Sequence, residues 1–186
     1  MKTPAPALLS FLVWIPLAAA CGEPPVPCTG PGDCPVVADL YQVDNQNATG
    51  ECAFTPFLPA TPTLIQQSED GREASTVIYD QVQLKEITLS GQVYKPRPND
   101  PPGTQGSVEA QTEVTRLDPA ADRVLTLRVL FTASISHTND AGAACNAGDA
   151  GCRRRLAATL ITTEKRGQGG PPCQATISYT GTGSAL

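Results

Sequence analysis

The sequence predicts an all-β fold, an antiparallel β-sandwich or barrel-like domain, and three observations carry that prediction. In the stretch 123–136, Leu125, Leu127, Val129, Phe131, Ala133 and Ile135 share one parity. Thr126, Arg128, Leu130, Thr132 and Ser134 share the other. One apolar face and one polar face, broken only by Leu130, is the signature of a half-buried strand with water on its far side. Just upstream, Val108, Ala110, Thr112 and Val114 alternate with Glu109, Gln111, Glu113 and Thr115, and the two runs are joined by Asp118-Pro119-Ala120-Ala121-Asp122. Pro sets the bend of such a turn and Asp bonds nearby amides, so the two runs read as a hairpin. Finally, 18 Pro and 16 Gly punctuate the 186 residues, and long runs of helix formers are absent. That is the punctuation of seven or eight strands joined by turns.

The remaining strands follow from weaker patterns. Val82 and Leu84 fall on one parity, whereas Ile87, Leu89 and Val93 fall on the other. The switch near Lys85-Glu86 predicts a β-bulge within one strand. In the stretch 155–164, Leu156, Leu160 and Ile161 suit a helix face, but Thr159, Ile161, Thr162 and Thr163 are β-branched and favour a strand, which is the expectation adopted. Ala175, Ile177 and Tyr179 alternate with Thr176, Ser178 and Thr180 in an expected final strand. The Pro-rich loop 95–106 has the composition of a polyproline II segment, but reads more simply as a hairpin connection grown at a permissive surface.

Charge and composition exclude several classes of function. A net charge of -5 does not suit a nucleic-acid binder, whose affinity rests on neutralising phosphates with Lys and Arg. One His and one Met do not suit a His-rich metal centre or a Met-lined groove. No C-x-x-C pair is present, and no residue pattern calls for a cofactor.

Residues 1–20 have the organisation of a cleaved signal peptide. Lys2 is the only charge before Glu23, and an apolar stretch runs from Ala7 to Ala20 and ends in small residues. A membrane span takes about 20 apolar residues; this run is shorter and contains Pro16. The segment Leu17-Ala18-Ala19-Ala20-Cys21 resembles the lipobox of bacterial lipoproteins. It departs from the commonest form in placing Ala18, not Leu, third before the Cys. The resemblance implies cleavage before Cys21, lipidation of its sulfur, and attachment to a membrane through acyl chains such as palmitate. Gly22 stands where Asp would retain an enteric lipoprotein in the inner membrane, which points to the outer membrane or cell surface. The other reading of the same small residues is ordinary cleavage, releasing a soluble protein with a free thiol.

Cysteine arithmetic agrees with lipidation. Seven Cys leave one unpaired in an oxidising compartment, and assigning Cys21 to the lipid leaves six. Of fifteen possible connectivities, two pairs are local, Cys28 with Cys34 and Cys145 with Cys152, which leaves Cys52 for Cys173. Composition then divides the mature chain into a Pro/Gly-rich tether at 21–35 and a β-domain at 36–186.

Candidate chemistry is sparse. His137 ends the best strand on its apolar parity, but no G-x-S-x-G, H-E-x-x-H or phosphate-loop motif supplies a partner. In the loop 138–154, Asp140, Asn146 and Asp149 lie among Gly and Ala. These are oxygen ligands of the kind Ca²⁺ takes, in a spacing that matches no Ca²⁺ motif, and they are equally the residues that turns require. Arg153-Arg154-Arg155 follows as the one dense cationic cluster, suited to phosphate or carboxylate. Asp140, Asn146, Asp149 and Arg153 are therefore the candidate binding loop. The expected function is a lipid-anchored cell-envelope protein with a non-catalytic binding or structural domain, its partner an envelope protein or a polysaccharide. The alternatives are an exported hydrolase, for which two or more of His137, Asp140, Asp149 and Arg153 would have to converge in one concave pocket, and a small subunit of a secretion or envelope assembly complex. The last would show an exposed apolar patch or an open strand edge.

Overall fold

The structure is a computed structural model and describes residues 24–50, 52, 54–118, 123–165 and 173–185. Residues 1–23, which include the expected signal peptide and Cys21, and residues 119–122, read from the sequence as a turn, lie outside the described residues. Among the described residues nine strands follow one another: β1 Asp39–Thr49, β2 Leu58–Pro59, β3 Thr63–Gln67, β4 Glu73–Asp80, β5 Lys85–Tyr94, β6 Thr104–Asp118, β7 Arg123–Thr138, β8 Arg153–Glu164 and β9 Gln174–Ala185. All neighbours are antiparallel, in the order β4-β3-β1-β9-β8-β7-β6-β5, and β5 pairs back onto β4 along Lys85–Gln92. The fold is thus a closed eight-stranded barrel. The extra strand β2 pairs with the lower half of β4, Leu58 opposite Tyr79 and Pro59 opposite Ile78.

Closure rather than a two-layer sandwich follows from β5, which serves two neighbours. It runs against β4 over Lys85–Gln92 and against β6 over Ser90–Tyr94. Gly91 permits the turn of the wall there: a Cβ at this position would lie 1.9 Å from the Glu109 carbonyl oxygen on β6.

Every second residue points inward. The six apolar residues of β7 from Leu125 to Ile135 are all buried, as are Leu156, Ala158 and Leu160 of β8 and Ala175, Ile177 and Tyr179 of β9. Phe131, Leu127, Ile135, Leu89, Ile65 and Tyr41 fill the lumen, because an eight-stranded barrel has an interior about one layer of side chains wide. Phe54 and Phe57, from the 50–58 segment, are buried with them. Three disulfides close the molecule: Cys28–Cys34, Cys52–Cys173 and Cys145–Cys152.

Two expectations are corrected. The parity switch at Lys85-Glu86 is not a bulge. It is the hairpin between β4 and β5, whose last pair is Asp80 opposite Lys85. Asp80 Oδ1 accepts the amides of Val82 and Gln83, and Leu84 takes a left-handed φ of 52° with its side chain exposed. The second correction concerns the Pro/Gly-rich stretch read as a tether through residue 35. Pro27 bridges Tyr94, the Cys28 amide donates to Val93 O, and the Lys95 amide donates to Val26 O. Cys28 is buried and packs into the core. From Val26 onward this stretch is therefore part of the barrel.

Candidate functional site

The barrel separates the residues singled out from the sequence. His137 points into the upper end of the lumen, where β7 ends, and is buried. It lies opposite Arg154 in the β7–β8 ladder, and its Nε2 has no hydrogen-bond partner. Burial, reinforced by the Arg154 charge, pulls the imidazole pKa below its ordinary value. Arg154 is the inward member of the Arg triplet and donates to Ala38 O at 3.2 Å and Asp39 Oδ2 at 3.3 Å. Asp39 also accepts the Ser184 amide and hydroxyl, which ties β1 to the end of β9.

Because folding lowers the imidazole pKa of His137, the unfolded chain binds more protons in mild acid than the native state does. The stability contributed is complete above the ordinary imidazole pKa and is lost as pH falls below it. The melting temperature is expected to drop between about pH 7 and pH 5, and the drop is expected to be shallower in His137→Leu. Parallel pH–melting curves for the two proteins would refute this assignment.

Arg153 and Arg155 point outward, on the opposite side of the wall from His137. Asp140 stands 3.7 Å from each, and Thr182 Oγ1, which accepts from Arg155, donates to Asp44 Oδ2 at 2.6 Å. These groups line a shallow hollow of about 390 Å³. Asp140 and Arg153 are thus brought together in a charge-compensated chain, but Asn146 and Asp149 are not part of it. Asp149 Oδ2 instead accepts the Asn146 amide at 2.9 Å, inside the loop stapled by Cys145–Cys152. Asp149 thus serves a turn, and Asp140 serves two guanidinium groups. Among the described residues no three His, Cys, Asp or Glu side chains are placed to hold a metal.

A different surface is assembled by register alone. Ser107, Ser134, Ala157, Thr180 and Asn45 form one row across β6-β7-β8-β9-β1, each opposite the next. Glu109, Thr132, Thr159, Ser178 and Asn47 form the adjacent row. Two clefts, of about 320 and 370 Å³, run along these rows and meet at Ala157 and Thr159. Tyr94, Arg97 and Pro25 wall one end, and Asn45, Gln46 and Asn47 the other. With strands about 4.8 Å apart, five strands give a groove about 19 Å long. The small side chains make the floor: Ala157 ends at its methyl, whereas Asn, Tyr and Arg rise at the edges. Outward Ser, Thr and Ala were visible in the sequence as ordinary solvent-face residues. Their assembly into rows depends on pairings between strands up to 135 positions apart, such as Asn45 with Thr180.

Compared with known proteins, the chain matches no family model, no curated protein and no solved structure.

Proposed function

We propose that this chain is a lipid-anchored protein of the bacterial cell envelope, and that its barrel is a non-catalytic binding module for an extended, uncharged stretch of polysaccharide. The two-row groove carries the reading. Its walls offer hydroxyls and carboxamides beside the methyl groups of Ala157 and the threonines, a mixture that matches the hydroxyl and C–H edges of a sugar. A protein partner is held mainly by clustered aromatic and Arg anchors in dry pockets, and here only the Tyr94–Arg97 end has that character. Three disulfides suit an exported protein, and Leu17–Cys21 supplies the lipobox-like segment.

The hydrolase reading keeps Asp140 and Arg153, which line one shallow hollow, but the barrel wall separates them from His137, the one candidate general base. The accessory-subunit reading has one observation in its favour. Leu117 and Val124 are cross-strand partners at the tip of the β6–β7 hairpin and are 54% and 67% exposed. Paired, exposed apolar side chains near the end of a strand ladder suit a protein contact.

The test is binding of the purified protein to neutral glycan chains prepared from a bacterial envelope. Ala157→Arg places a long side chain on the floor where the two clefts meet. It is expected to weaken binding at least about tenfold, the equivalent of about 1.4 kcal/mol, with an unchanged melting temperature. Failure of the unaltered protein to bind any such glycan, or full binding by Ala157→Arg, would overturn the groove reading.

A further inference from the structure

We propose that the upper end of the barrel rests directly on lipid headgroups, so that loop 95–103 and the adjoining loop 139–152 form a membrane-contact surface. The proposal rests on acylation of Cys21 and specifies how the anchored protein stands.

The path of the chain carries the argument. Cys28, Pro27 and Val26 run antiparallel to Val93, Tyr94 and Lys95. Read towards the N-terminus, residues 28 to 26 therefore run along the line of β5 towards its upper end. Pro25 still lies in the cleft beside Tyr94 and Arg97. From Pro25 to Cys21 there are four residues, which reach at most about 14 Å when fully extended. An acylated Cys21 sits at the boundary between acyl chains and headgroups, and the headgroup layer is itself about 5–8 Å thick. Pro25 thus stands no more than about 6–9 Å beyond the headgroups. The 95–103 loop, which continues outward from the same point, fills that gap.

The surface presented there suits this position. Lys95 pairs with Asp33, Arg97 with Asp100 at 3.1 Å, and Asp140 with Arg153 and Arg155. Each of these cations thus has an acid partner, Asp140 being shared by two of them, which moderates the attraction to anionic lipid. Val26 and Val36 are exposed at this end, 51% and 59%, and offer apolar side chains at the interfacial depth. The two loops act as one platform, because the His137 amide donates to Gly103 O and Thr138 bridges Ala144. The opposite end, with Leu117 and Val124, then stands about 40 Å from the bilayer, the height of a 16-residue strand tilted by about 40°.

The sequence offers a clean probe, since its single Trp, Trp14, lies in the segment removed by cleavage before Cys21. Asn99→Trp places a reporter on the upper loop, and Val124→Trp places one at the lower end. Each full-length variant is expressed in a bacterium, extracted, and checked by intact mass for acyl chains on Cys21. It is then inserted into phosphatidylethanolamine/phosphatidylglycerol vesicles with and without lipids brominated near the headgroup. The Asn99→Trp reporter is expected to lose about half its emission to the bromines, because an indole at this depth sits in the interface. The Val124→Trp reporter is expected to lose none. Equal quenching of the two acylated reporters, or quenching only of Val124→Trp, would overturn the upright orientation. A mass without acyl chains would instead remove the anchor itself, and the proposal with it.

Discussion

Replacing Arg116 by Ala is expected to lower the unfolding free energy by about 3–5 kcal/mol, the range for breaking a buried ion pair from one side. Arg116 lies in the lower end of the lumen, 2% exposed, with a guanidinium nitrogen 2.8 Å from Asp80 Oδ1. It also donates to the Thr55 carbonyl and stacks 5.0 Å from the centre of the Phe57 ring. One side chain thereby fixes the β4–β5 turn, β6 and the 50–58 segment that covers this end. Truncation leaves Asp80 as a buried carboxylate without its ion-pair partner, and among the described residues Asp80 Oδ2 has no hydrogen-bond partner even with Arg116 present. The same reasoning separates the cost of breaking the pair from its net worth. In the double variant Asp80→Leu/Arg116→Met both charges are gone, and stability is expected to return to within about 1–2 kcal/mol of the original. Urea unfolding followed by circular dichroism measures all three proteins. A double variant as unstable as Arg116→Ala would mean that the Thr55 and Phe57 contacts, not charge burial, dominate.

Removing the Cys52–Cys173 bridge by the double change Cys52→Ala/Cys173→Ala is expected to cost about 5 kcal/mol in the chain-entropy account. The bridge spans 121 residues and therefore restricts the unfolded chain more than either of the others. It connects the segment after β1 to the residue before β9, two strands that are already neighbours in the wall. Cys145–Cys152 spans only 7 residues, and its loss is expected to cost about 2.5 kcal/mol by the same relation. Urea midpoints under non-reducing conditions, with m-values compared, test the ratio. Equal losses from the two double variants would show that loop length does not govern these bridges.

What could be read from the chain depends on the range of each pattern. The β6–β7 hairpin and the inward set from Leu125 to Ile135 follow from alternation within one strand, a local property that burial of one face enforces. The pairings Cys28–Cys34 and Cys145–Cys152 were legible because the short spacing favours them, and Cys52–Cys173 followed as the remainder. The 82–93 stretch was misread because a two-strand hairpin and a bulged strand produce the same switch of parity. Only the partner Asp80 opposite Lys85, with its side chain bonding the turn amides, tells them apart. The tether boundary was misread for a related reason. Pro and Gly signal an extended backbone, and such a backbone can dock against a strand end as readily as it can hang free.

Composition and periodicity by themselves determined an all-β fold and the strand faces, because these depend on residues within about a dozen positions of one another. The tertiary structure alone decided that the sheet closes into a barrel. It also decided that His137 and Arg153 lie on opposite sides of its wall, that Asp80 meets Arg116, and that ten outward residues from five strands align into a groove. Each of these rests on interstrand register. Register is set by the simultaneous burial of all eight inner faces, a global condition that no window of the sequence contains.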